Sequence, residues 1–80
     1  MRQTFTEGQR VYIKRWGSGW DPAIIYIPEV VKHPSHSSRP TYYVTITYIE
    51  TAQHRAGQNW DVPNNRRQIC TEEAYPRVAA

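Results

Sequence analysis

Two places in this 80-residue sequence set an indole beside a carboxylate, Trp20-Asp21 and Trp60-Asp61. An aromatic face attracts a bulky, poorly hydrated cation lying within about 6 Å of the ring centre, contributing roughly 0.5–2 kcal/mol per good contact. A neighbouring carboxylate accepts whatever N–H the cation retains. Trp16 adds a third indole near the first of these pairs. A different chemistry belongs to the paired cations Lys14-Arg15 and Arg66-Arg67, with Arg10 before them and Lys32, Arg39 and Arg55 spread between. Together with Tyr12, Tyr42 and Tyr43 they have the makings of a surface that contacts phosphates and stacks on bases. Each set has a plainer alternative. Rings in a small domain pack a core, and ten cations set against seven acids make an ordinary solvated face.

Other chemistries find less in the chain. His33 and His36 have an H-x-x-H spacing, with His54 and Cys70 elsewhere. A structural zinc site needs four ligands in rigid loops, usually with paired cysteines, whereas this histidine pair sits among serines and prolines. No metal and no cofactor is expected, and Cys70 reads as a small buried apolar residue. Catalysis is not expected either. There is no nucleophile elbow, no glycine-rich phosphate loop and no carboxylate pair whose spacing brings it together.

Bulk properties narrow the class further. Eighty residues bury only roughly 60% of their unfolded surface, so the core is thin. Apolar content of 39% is low, but three Trp and six Tyr fill space with few residues. A net charge of +3 and a pI near 9.3 mildly favour an anionic partner. One cysteine excludes an internal disulfide and, with no signal-like apolar segment, points to a reducing intracellular setting. No run approaches the ~18 apolar residues of a membrane span.

The elements that must position these residues are strands. Prolines 22, 28, 34 and 40 recur too closely for a helix, and the runs between them are rich in Ile, Val, Tyr and Thr. Val11 and Ile13 alternate with Tyr12 and Lys14 in a first strand over 10–15. Trp16-Gly17-Ser18-Gly19-Trp20 supplies the positive φ of a tight turn, and Asp21-Pro22 closes it. A second strand over 23–32 carries Pro28 at a bulge. The mobile loop 33–40 leads to a clean third strand over 42–50, with Val44, Ile46 and Tyr48 on one face. A polar hairpin loop, 51–58, joins it to a fourth strand over 59–62. A 3₁₀ turn at 63–66 and a fifth strand over 67–70 complete the set. Residues 1–7 read as a frayed lead-in with Phe5 docked on the domain. Residues 71–80 read as a tail in which Pro76 ends one helical turn at Glu72-Glu73-Ala74. The prediction is an all-β domain over 8–70, a small five-stranded antiparallel SH3-like barrel with a 3₁₀ turn before the last strand.

The segments G-Q-R-V-Y-I-K-R-W, G-W-D-P-A-I-I, Y-Y-V-T-I-T-Y and N-W-D-V-P-N-N-R-R-Q-I resemble, in that order, the Tudor and Agenet group of SH3-like domains. The resemblance spans about Gly8 to Ile69 through short, loosely defined pieces. It implies an aromatic cage for methylated lysine or arginine, with Trp16, Trp20-Asp21, Tyr48 and Trp60 at the corresponding places, and Asp21 or Asp61 available to accept the N–H of a mono- or dimethylated form. Asp21 stands where that family often has an aromatic residue. The opening G-x-x-V also resembles the C-terminal SH3-like domain of retroelement integrases, which implies nucleic-acid binding through Lys14, Arg15, Arg66 and Arg67.

The leading expectation is therefore a non-catalytic, nuclear, chromatin-associated reader of methylated histone peptides. The alternative is a barrel that binds DNA or RNA. A third reading is a protein-assembly module that uses the two-sided apolar strand Ala23 to Val31.

Overall fold

The computed structural model describes residues 3–15, 17–35, 38–49 and 56–79. Five strands, β1 (Arg10–Lys14), β2 (Trp20–Lys32), β3 (Thr41–Tyr48), β4 (Asn59–Pro63) and β5 (Ile69–Thr71), precede one short helix, α1 (Tyr75–Ala79). They form a single antiparallel sheet in the order β4-β3-β2-β1-β5. The fold is all-β with the strand order of an SH3-like domain. Unlike the expected barrel, the bent sheet stays open, because β4 and β5 do not pair.

The period-two patterns decide which face is buried. Val11 and Ile13 from β1, Ala23 and Ile25 from β2, Val44, Ile46 and Tyr48 from β3, Val62 from β4 and Ile69 from β5 make the core. Phe5 docks onto it from the lead-in. Among its described residues, the lead-in is also held at Gln3. The Gln3 N–H donates to Asn64 Oδ1, and Asn64 Nδ2 donates back to the Gln3 carbonyl.

β2 is long because it serves both halves of the sheet, and it bends where the register slips, between Ile25 and Ile27 and again between Ile27 and Val30. Pro28 lies within the second slip, where a missing donor breaks no regular ladder bond. Pro22 is also inside the strand instead of ending the turn. Its carbonyl accepts from Ile49, just beyond the last β2–β3 pair, Ala23 with Tyr48. The proline nitrogen thus faces the end of the ladder.

Two predicted details change. The segment before β5 is a single hydrogen-bonded turn in which the Asn65 carbonyl accepts from both Gln68 and Ile69. Only the first of these bonds has 3₁₀ spacing. The helical turn predicted at 72–74 lies further on, and Pro76 is its second residue. A first-turn residue has no helical partner for its N–H, so proline starts this helix and does not end it. Tyr75, just before it, stacks on Tyr12 of β1, with ring centroids 3.7 Å apart and planes 13° from parallel.

Candidate functional site

The β1–β2 turn joins two kinds of chemistry on opposite faces of one hairpin. The parity that buries Ala23 also buries Asp21, and Arg15, two residues beyond buried Ile13, reaches it from a partly exposed position at the turn. Asp21 is buried, and its Oδ1 accepts from Arg15 Nη2 at 2.7 Å and Nε at 3.2 Å. A buried carboxylate needs such a partner. The same contact raises the Arg15 guanidinium above its ordinary value, through the hydrogen bond first and charge attraction second. Gly19 makes room for it. Its φ is +90°, and a Cβ there would sit 3.3 Å from Arg15 Nη1.

On the outer face, Lys14 lies opposite Trp20 in the ladder, and its Nζ is 5.4 Å from the centre of that ring. The Lys14 N–H donates to the Gln68 carbonyl at 2.9 Å, so the end of β1 adjoins the turn that carries Arg66 and Arg67. The fold thus gathers the two cation pairs, 52 positions apart in sequence, at one end of the sheet. Arg15 is neutralised by Asp21. Among the described residues, Lys14, Arg66 and Arg67 make no ion pair, so this end carries uncompensated positive charge.

Further along the outer face the balance differs. Arg10 lies 5.7 Å from the Tyr12 ring centre but is also ion-paired to Glu72. Lys32 lies 4.6 Å from the Tyr43 ring centre and 2.9 Å from Asp61 Oδ2. The Thr45 hydroxyl donates to Asp61 Oδ1 at 2.6 Å. That hydrogen bond, and then the one from Lys32, holds the Asp61 carboxyl below the usual carboxylate range, while Asp61 raises Lys32.

The residues of the expected cage lie as follows. Trp16 is outside the described residues. Trp20 is half-buried beneath Lys14. Asp21 is committed to Arg15, and Asp61 to Thr45 and Lys32. Tyr48 is only 2% exposed and belongs to the core, which leaves its ring no open face. Trp60 is 47% exposed on β4, its indole N–H donating to Gln58 Oε1 at 3.2 Å. The described residues show no aromatic cluster. Tyr48 shares the buried face of Val44 and Ile46, so it packs the core and does not wall a cage. The Arg15–Asp21 pair was missed, although two opposite charges flanking a Gly-Ser-Gly turn are a signal for it.

Among the described residues, no group of three or more His, Cys, Asp or Glu is placed to hold a metal ion. Of the expected histidines, His36 and His54 lie outside the described residues. Cys70 is buried, and burial pushes its thiol up, keeping it protonated. No helix among the described residues is long and apolar enough to cross a membrane. Comparisons with family models, curated proteins and solved structures return no match.

Proposed function

We propose that this chain is a non-catalytic module that binds the phosphate backbone of DNA or RNA at the end of the sheet formed by Lys14, Arg66 and Arg67. One observation carries the reading: among the described residues, three cations without an ion-pair partner share that end, while Asp21 of the adjoining hairpin is consumed by Arg15. Lys14 rests over Trp20, which restrains its long side chain and lowers the entropy lost on contacting a phosphate. A likeness to integrase C-terminal domains agrees with this reading.

The test is fluorescence anisotropy with a labelled oligonucleotide of about 12 nucleotides, single- and double-stranded, over a range of salt. Three phosphate contacts give a slope of log affinity against log salt of about −2 for single strands and nearer −3 for a duplex. Binding that is absent, or indifferent to salt, overturns the proposal.

A second reading is the Tudor-like reader of methylated lysine or arginine, favoured by one observation, the exposed indole of Trp60. Selective movement of the Trp60 indole N–H signal by a methylated peptide, and not by its unmethylated form, would favour it over nucleic acid.

A further inference from the structure

A cleft of about 430 Å³ opens between β5, the turn before it and α1, on the side of the molecule where lead-in and tail meet. Its size falls within the range of small-ligand sites, about 300–1,000 Å³. The two charged residues lining it are Arg66 and Arg77, and no acid lines it. Neither arginine makes an ion pair among the described residues, whereas Arg10, Arg15 and Lys32 each do. Glu72, five residues before Arg77, turns instead to Arg10. The apolar part of the wall comes from Ile69, Ala74 and Val78.

The wall is preformed. Gln3 lines the cleft with its side-chain amide fixed to the Ile69 carbonyl at 3.0 Å and its backbone tied twice to Asn64. Thr71 Oγ1 accepts from the Ala74 N–H at 3.1 Å, which leaves its own O–H to donate into the cleft. No aromatic ring lines the space, so it offers a nucleobase nothing to stack on.

We infer that this cleft is a binding site for a small organic oxyanion, a carboxylate or phosphomonoester on a short alkyl body. Arg66, Arg77 and the Thr71 hydroxyl hold the anionic head, and Ile69, Ala74 and Val78 cover the chain. Two guanidiniums and a hydroxyl supply the donors such a head needs, and the apolar wall favours a head group that carries an alkyl chain over inorganic phosphate alone. The inference goes beyond the nucleic-acid reading and shares only Arg66 with it.

The test is a ¹⁵N-resolved NMR titration of the full chain with butyl phosphate, hexanoate and inorganic phosphate in parallel. Saturable movement of the Thr71, Ala74 and Val78 amides is expected with one or both amphiphiles, and the better of the two identifies the head group. Inorganic phosphate should bind about tenfold more weakly or worse, having lost the apolar contacts. Arg77→Gln and Arg66→Gln should each weaken the amphiphile about tenfold, the cost of a charge-assisted hydrogen bond. Lys14→Glu should leave it within about twofold while reducing oligonucleotide binding, so the two sites fail independently. The inference is overturned by non-saturable shifts with both amphiphiles, by inorganic phosphate binding equally well, or by indifference to both arginine variants when their melting curves match the parent.

Discussion

Lys14 over Trp20 and Lys32 over Tyr43 are alike at first sight: each is a lysine on the outer face of the sheet beside an aromatic ring, 5.4 and 4.6 Å from its centre. They differ in what else touches the lysine. Lys32 is locked to Asp61, which is itself held by Thr45. Lys14 has no carboxylate among the described residues and stands beside two further cations. The first arrangement satisfies itself, and the second leaves charge for a partner. Closeness of a cation to an aromatic ring therefore does not mark a binding site. In the proposed nucleic-acid reading the sum of local charge matters more, because a polyanion gains most where a bound counter-ion is released and no internal partner must be displaced.

The largest expected effect asks whether Tyr48 belongs to a surface at all. Tyr48→Ala should cost about 3–5 kcal/mol in urea unfolding, as for a buried aromatic. A variant as stable as the parent would put that ring back at the rim and revive the cage. Next, Lys14→Glu should weaken oligonucleotide binding about tenfold and flatten the salt slope by about one unit, while Lys32→Glu changes affinity less than about twofold. Equal losses from the two would erase the distinction drawn between them.

A smaller effect tests the self-satisfied region. Thr45→Val removes the hydroxyl that donates to Asp61 and should cost about 1 kcal/mol. The carboxyl pKa, followed by NMR, should rise towards its ordinary value of 3.8. The sign follows from the lowered value. Asp61 contributes stability above the unfolded carboxylate range and loses it as pH falls through the folded value. Lys32, being raised, contributes below its ordinary value of 10.5 and loses that contribution as pH climbs through the folded one. The network is therefore intact between those limits. An unmoved Asp61 titration in Thr45→Val would show that Lys32 alone sets it. The smallest effect belongs to the intermediate pair. Glu72→Ala removes the carboxylate from Arg10, and both side chains are about half exposed or more. It should cost at most about 0.5 kcal/mol, and any gain in oligonucleotide affinity would confirm that internal acids are what silence the rest of this face.

Much of the fold was legible because strand alternation is a local property. Val11 and Ile13, then Val44, Ile46 and Tyr48, declared a shared face by period two alone. The bulge at Pro28 was legible because a residue without an N–H must sit where the ladder is interrupted. Pro76 was read in the wrong sense, since proline both ends and begins helices, and the choice depended on Tyr75 finding Tyr12 across the molecule. The Lys14-Arg15 and Arg66-Arg67 pairs were visible as charges, but not that Arg15 would be neutralised by Asp21.

The sequence by itself determined the strands, their buried faces and an excess of positive charge, because each depends on residues a few positions apart. Tertiary structure alone decided which charges remain uncompensated and which rings remain open. Register across β1, β2 and β5 placed Asp21 against Arg15 and Lys14 beside the Arg66–Arg67 turn, and the β2–β3 pairing of Ala23 with Tyr48 set that ring in the core. Electrostatic balance is a sum over neighbours in space, and those neighbours are set by pairing between distant segments.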